Sequence, residues 1–295
     1  MSAHKAGFVN IIGNPNVGKS TLMNALVGER LSIITSKAQT TRHRILGIVN
    51  GDDFQVVISD TPGIIKPAYA LQESMMDFVR SALDDADVLL YMVEIGQKGL
   101  KDEAFLERIR KTKVPVLLLI NKIDTSDQNT LEDQVDYWKE LLPRAEIFPI
   151  SALERFNIQA VFDRVLELLP EGPPYFPKDQ LTDRPERFFV SEIIREKILR
   201  HYKKEIPYSV EIEVEAFEEG EDLIRIGAVI MVERDSQKGI IIGHKGTALK
   251  RVGSEARKDL ETFFAKKVYL ELFVKVNKNW RSDSRQLRRF GYNSK

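Results

Sequence analysis

The sequence predicts an α/β domain, a mostly parallel sheet with helices on both faces, followed by a smaller α+β domain. Three observations carry this. The 295 residues are too many for one typical core and enough for two. From residue 8 to 169 apolar runs alternate with segments of helical spacing, the order that builds a parallel sheet. A proline-rich break then follows, and the pattern beyond it is different.

Taken in order, strands are expected at 8–12, 45–49, 54–59, 87–93, 114–120 and 146–150, with helices at 19–28, 72–84, 102–111, 129–141 and 157–168. Most of these strands are apolar throughout, as burial on both faces requires. The exception is 45–59, ILGIVNGDDFQVVIS. Its Asn50-Gly51-Asp52-Asp53 turn predicts a hairpin and one antiparallel edge strand. The stretch PEGPPYFPKDQLTDRP then holds five of the twelve prolines. Each proline fixes φ and removes a donor, so no element continues through it. The expected organisation is a first domain over 1–170, a Pro-rich linker over 171–187 and a second domain over 188–295. The second domain should contain helix 191–204, strands 208–217 and 223–233, a glycine-rich loop, helix 247–265, strand 268–276 and a last helix near 280–290. Ile193, Ile194, Ile198, Leu199 and Tyr202 form a stripe that reads as the core face of helix 191–204.

Composition narrows the classes. With 43% hydrophobic and 30% charged residues the chain is expected to be soluble and globular. Its apolar run Val114–Ile120 is far too short to span a membrane, and the first residues lack an apolar signal region. There is no cysteine, which excludes disulfides and thiolate metal sites and suits a cytosolic protein. The net charge of zero hides an asymmetry. From Arg234 onward there are 16 Lys+Arg and 6 Asp+Glu, which leaves 28 against 38 before it. A basic segment on an acidic body suggests a polyanionic partner for the second half.

The motifs fall at strand ends. Gly13-x-x-x-x-Gly18-Lys19-Ser20 follows the first strand and opens a helix, the context in which a phosphate-binding loop works. Glycines let backbone amides converge on phosphate oxygens, and the helix N-terminus adds positive potential. Gly13, Asn14, Asn16, Val17, Gly18, Lys19, Ser20 and Thr21 are the expected phosphate cradle, with Lys19 reaching the β- and γ-phosphates and Ser20 ligating Mg²⁺. Asp60, in Asp60-Thr61-Pro62-Gly63, ends another strand where the Mg²⁺ shell would be held, and the Gly63 amide would meet the γ-phosphate. Asn121-Lys122-Ile123-Asp124 ends a third. A carboxylate at Asp124 can take two hydrogen bonds from the guanine edge, which adenine cannot offer, so it would select GTP. Asn121 would tie this loop to the cradle, the Lys122 stem would lie over the base, and Ser151-Ala152-Leu153 would present an amide to the guanine carbonyl.

These four motifs, in this order and spacing, resemble the G domain of GTPases. Thr40-Thr41 occupies the region where such domains keep a mobile Mg²⁺-binding threonine; Thr41 is favoured, with Thr40 as the alternative. In the second half, Gly243-His244-Lys245-Gly246 in "KGIIIGHKGTALKRVG" resembles the GxxG loop of a type II KH domain, which clamps single-stranded nucleic acid. Ile240, Ile241 and Ile242 would contribute the floor under the bases, and Lys250 and the basic segment around Trp280 and Arg281 would extend the RNA surface. Together the halves resemble the TrmE–Era group, P-loop GTPases of which some carry a C-terminal KH domain. Ile64 stands where Ras-like enzymes place a water-orienting glutamine, a mark of that group. The resemblance therefore implies slow GTP hydrolysis supported by Lys19, Thr41, Gly63 and Asn16. Asn16 either helps hold a potassium ion against the phosphates or is only a turn residue. It further implies GTP/GDP and Mg²⁺ as ligands, and the 3′ end of 16S rRNA and the small ribosomal subunit as partners. It implies a role in small-subunit assembly and a cytoplasmic monomer, with peripheral inner-membrane contact in some members. The alternative is a membrane-associated signalling or cell-cycle GTPase.

Overall fold

The computed structural model describes residues 3–100 and 102–292. The ends of the two expected domain ranges, at 1–2 and 293–295, lie outside the described residues. The chain divides into two compact units, Met1–Ala68 with Gln72–Asp183 and Tyr69–Leu71 with Arg184–Lys295.

The first unit is a six-stranded sheet. Its elements are β1 (Lys5–Gly13), α1 (Lys19–Val27), β2 (Ile45–Asn50), β3 (Phe54–Asp60), α2 (Ala70–Asp84), β4 (Val88–Glu94), α3 (Glu103–Lys111), β5 (Val116–Asn121), α4 (Gln128–Leu141), β6 (Glu146–Pro149) and α5 (Ile158–Leu168). The strand order is β2-β3-β1-β4-β5-β6. Only β2 is antiparallel to its neighbour, as the Asn50–Asp53 turn predicts. Ile11, Leu90, Leu118 and Ile120 are fully buried, and each such side chain contributes roughly 2 kcal/mol by leaving water. Parallel pairing aligns the strand ends: Ile11 is level with Asp60, Gly13 with Met92 and Glu94 with Asn121. The predicted motifs therefore emerge along one rim, where open α/β sheets bind ligands.

The β2 edge of this sheet is covered, and the same segment meets the start of central β1. Residues beyond α5 run back along unit 1 as far as Asp183. The Ala6 amide donates to Pro170 O at 3.1 Å and Ile48 N to Leu181 O at 2.8 Å. Thr182 Oγ1 donates to Leu46 O at 2.7 Å. Fully buried Gln55 accepts from the amides of Tyr175 and Phe176 at 2.7 and 2.9 Å and donates to Phe176 O at 2.8 Å. The strap occupies the Ile48 edge amide that would otherwise help template another strand.

The second unit contains α6 (Glu186–His201), α7 (Ile206–Ser209), β7 (Glu211–Glu219), β8 (Leu223–Val232), α8 (Asp235–Ile242), α9 (Thr247–Phe264), β9 (Lys267–Val276) and α10 (Ser284–Arg289). β7 and β8 are antiparallel and β8 and β9 parallel, the arrangement of a type II KH domain. Ile194 and Ile198 of α6 pack with Ile226 and Ile230 of β8 and Val252 and Leu260 of α9, so the stripe on α6 is a core face.

Four elements differ from the sequence expectation; one is α7 (Ile206–Ser209), which takes the start of the expected strand 208–217, so that β7 begins only at Glu211. α6 begins at Glu186, directly after Pro185, whose fixed φ suits a helix start. α8 replaces the expected glycine-rich loop. The Gln237 side chain accepts from the amides of Glu233 and Arg234 at 3.0 and 3.1 Å, and Ile241 is fully buried, which together outweigh the helix penalty of Gly239. The last helix is broken at Asp283. A short turn (Trp280–Ser282) precedes it, and its carboxylate caps α10 by accepting from Arg285 N at 2.8 Å and Gln286 N at 3.1 Å.

Candidate functional site

The loop between β1 and α1 opens on a cleft of about 480 Å³ whose lining includes Asn16, Lys19, Ser20, Thr41, Asn121 and Asp124. Gly18 has φ 105°, and a Cβ there would meet Asn121 Nδ2 at 2.3 Å, so only glycine lets these two loops touch. Lys19 Nζ is buried and donates to Asn14 O at 2.8 Å and Gly13 O at 3.2 Å. Burial pulls its pKa down to about 8, against the raising influence of Asp60. A buried ammonium so placed gains most from an anion. Asn16 has a left-handed backbone, φ 65°, and its Nδ2 donates to Ser36 O at 3.1 Å.

Three oxygens converge beside Lys19. Ser20 Oγ donates to Asp60 Oδ2 at 2.7 Å and lies 2.9 Å from Thr41 Oγ1, which is 3.3 Å from the same carboxylate oxygen. Thr40 turns away; its Oγ1 donates to Lys37 O at 2.6 Å. The structure thus brings Thr41, not Thr40, to the expected cation ligands. Asp60 Oδ1 is buried without a hydrogen-bond partner, and burial pushes the carboxyl pKa up, opposed by Ser20 and Lys19. An all-oxygen set with one orphaned carboxylate oxygen fits Mg²⁺. Beyond it, Gly63 presses against Pro15: an added Cβ would lie 2.6 Å from Pro15 Cα. Ile64 is fully buried and can neither donate nor accept a hydrogen bond through its side chain.

At the other end of the cleft Asn121 joins three loops. Its Nδ2 donates to Val17 O at 2.7 Å and its Oδ1 accepts from Ala152 N at 2.9 Å. The tie predicted from sequence is present. The Ala152 amide is therefore already engaged, and a base carbonyl would have to share it. Lys122, in the cleft lining, pairs with Glu94. Asp124 is exposed at the rim, and Leu153, 74% exposed, stands beside it in the lining.

In the second unit Gly243–Gly246 joins α8 to α9. Gly243 has φ 71°, and a Cβ there would lie 2.6 Å from that of Ala248. His244 and Lys245 are exposed, and Thr247 Oγ1 donates to His244 O at 2.9 Å. Next to Gly246 runs a groove of about 430 Å³, lined among others by Leu249, Lys250, Gly253, Arg257, Tyr269 and Leu272. This groove is lined by residues of α9 and β9 rather than by Ile240–Ile242. Ile241 is fully buried in the core, Ile240 is half exposed and Ile242 packs on the core edge. For Trp280 the structure corrects the sequence expectation. Trp280 is fully buried, its Nε1 donating to Ser209 O at 3.1 Å. Arg281 pairs with Glu233 and donates to Tyr208 O at 3.3 Å. Trp280 is thus a structural anchor out of reach of RNA, whereas Arg281 is held by two protein partners and stays partly exposed. Arg257, paired with Glu261, and Tyr269 also line this groove without having been singled out in the sequence; for Arg257 the available signal was its spacing from Lys250 and Gly253 on one helix face.

A phosphate cradle completed by a base-reading loop, on a chain that also carries a GxxG groove, defines a P-loop GTPase joined to a KH domain. Residues 8–122 match the family described as 50S ribosome-binding GTPase, and 205–281 match the KH domain family. GTPase Era of Syntrophus aciditrophicus is 50% identical over 292 residues, covering 98% of this chain and 95% of that one. GTPase Era of Staphylococcus epidermidis is 45% identical over 294 residues, covering 99% and 98%. A crystal structure of Era in complex with MgGDPNP and nucleotides 1506–1542 of 16S ribosomal RNA aligns with TM-score 0.94 at 39% identity, covering 99% of this chain and 100% of that one. A variant of Aquifex aeolicus Era bound to GDP and AlF4⁻ gives the same score and identity over 98% and 100%. The chain belongs to the Era family of GTPases.

Proposed function

We propose that this GTPase is an RNA-binding switch that grips the 3′ end of 16S rRNA through its KH unit and acts in small-subunit assembly in the cytoplasm. The observation that carries the reading is one fold holding two sites, the Ser20–Thr41–Asp60 oxygens and the GxxG groove, in a chain that matches an RNA-bound, MgGDPNP-bound relative along its whole length. The proposed division is a GTPase unit over 1–170, a linker over 171–187 and an RNA-binding unit from 188. Among the described residues no helix is long and apolar enough to cross a membrane.

The geometry of the cleft supports the following roles. Lys19 and the loop amides neutralise and align the phosphates. Ser20, Thr41 and Asp60 hold Mg²⁺, which when bound offsets charge on the phosphate oxygens. Gly63 offers its amide to the γ-phosphate, and Asp124 reads the base. Ile64 cannot orient water, so turnover is slow and needs further positive charge. Asn16, beside the phosphates, is assigned to holding potassium there. Replacing sodium by potassium at constant ionic strength should raise turnover, and Asn16→Ala should remove the difference; equal rates in both salts would dismiss the assignment. For the function as a whole, the test is sequencing of RNA crosslinked to the protein in cells. Enrichment of the 16S 3′ end is expected. Recovery of lipid or division proteins without ribosomal RNA would favour the signalling alternative.

A further inference from the structure

Arg44 stands three residues after Thr41 and directly before β2. Its side chain is 13% exposed and reaches three elements at once. Nη1 and Nη2 donate to the two oxygens of Asp85 at 2.6 and 2.9 Å. Nη2 also donates to Asn10 Oδ1 at 3.1 Å, and Nε donates to Ser59 Oγ at 2.9 Å. Asn10 Nδ2 closes the set by donating to Asp85 Oδ1 at 2.7 Å and Ala82 O at 2.6 Å. Asn10 lies in the strand that feeds the phosphate loop, Ser59 immediately precedes Asp60, and Asp85 follows α2. None of these residues lines the nucleotide cleft. Successive strand residues point to opposite faces, so Ser59 turns away from the side on which Asp60 meets Ser20.

We propose that Arg44 is the hinge clamp of the segment carrying Thr41. It is a positioning residue outside the cleft that fixes where this segment enters the sheet. It thereby keeps Thr41 in register with Ser20 and Asp60. The inference rests on the cation role proposed above for Thr41. The planar fork is essential to it, because one guanidinium satisfies Asp85, Asn10 and Ser59 in fixed directions. Lysine keeps the charge but cannot reproduce three directions. Hinges of mobile loops act in this way, far from the chemistry yet setting where the loop closes.

The test compares Arg44→Lys and Asp85→Asn with Thr41→Ala, measuring GTP hydrolysis across a Mg²⁺ titration, GDP affinity and melting temperature. Both clamp variants should lower kcat about tenfold and raise the Mg²⁺ needed for half-maximal rate, since a misplacement of about 1 Å in a positioned group can cost up to a hundredfold. GDP affinity should hold, because the phosphate loop and base loops are untouched. The double variant should be little worse than either single one, because both break one unit. Normal kcat and Mg²⁺ dependence in the clamp variants, beside an impaired Thr41→Ala, would overturn the clamp. Parallel losses in GDP affinity and hydrolysis would also overturn it, as general destabilisation. Normal Mg²⁺ dependence in Thr41→Ala would remove Thr41 from the cation site, and the clamp's target with it.

Discussion

The carboxylate of Asp124 can accept two adjacent hydrogen bonds, and its exposed place at the cleft rim leaves it free to do so. Asp124→Asn should weaken GTP and gain xanthosine triphosphate, because the new amide donates to a carbonyl where the carboxylate accepted from an amine. The preference should reverse by about a hundredfold, the ~3 kcal/mol of a charged hydrogen bond. Competition binding with the two nucleotides decides it, and retained GTP preference would remove Asp124 from the base site. Lys19 gives a pH dependence whose sign is fixed. Its pKa is lowered to about 8 in the free protein, and phosphate raises it again by favouring the ammonium. Binding therefore takes up a proton above pH 8. GDP affinity should be level below that pH and fall about tenfold by pH 9. Lys19→Met should flatten the slope; an equally steep slope in that variant would locate the titration elsewhere. That the motifs gather in one cleft was legible in the sequence because each motif is local and tied to a strand end. The choice between Thr40 and Thr41 was not, because backbone direction alone decides which hydroxyl turns toward Ser20.

At the scale of elements, the α8–α9 junction carries the nucleic-acid reading. His244→Asp with Lys245→Asp places negative charge where a phosphate backbone would lie. RNA affinity should fall several-fold, and the log–log salt slope should shrink by about one because the lysine no longer neutralises a phosphate. GTP hydrolysis without RNA should not change. Unaltered affinity in a filter-binding titration would reduce the loop to a turn. The GxxG tetrapeptide was readable from four residues, but the groove was not. Its walls, Leu249 and Leu272, are distant in sequence and meet only because β9 pairs in parallel with β8. Trp280 was misread because basic neighbours surround it in the sequence, whereas Trp280, Leu287 and Tyr292 are all fully buried. Gly239 hid α8 for the opposite reason, a local helix penalty overruled by a cap and a buried isoleucine.

Across the whole molecule, the charge split noted in the sequence has a consistent use. The excess of 16 cations over 6 anions from Arg234 onward includes exposed Lys245 in the GxxG loop, and Lys250 and Arg257 in the groove, the latter paired with Glu261. Much of the remainder is internally paired: Arg289 with Glu213, Lys266 with Glu219 and Lys275 with Glu215. The formal charge therefore overstates the potential offered to a polyanion. Sequence showed the sign and the half; pairing, which is a property of the folded surface, reduces the number of free cations.

The strap along β2 has a consequence in time. A chain leaves the ribosome N-terminus first, and domains fold as they emerge. All six strands of the first sheet precede residue 150, yet the Ile48 amide waits for Leu181, and Gln55 for Tyr175 and Phe176. For some thirty residues of synthesis the nascent sheet therefore presents an open edge. A chain stopped at residue 170 should self-associate in sedimentation experiments, whereas one stopped at 183 should remain monomeric; equal behaviour of the two would show that the edge needs no guard. On this view the Pro-rich segment first acts as a closing latch for a domain still being born, before it serves as a connection to the next.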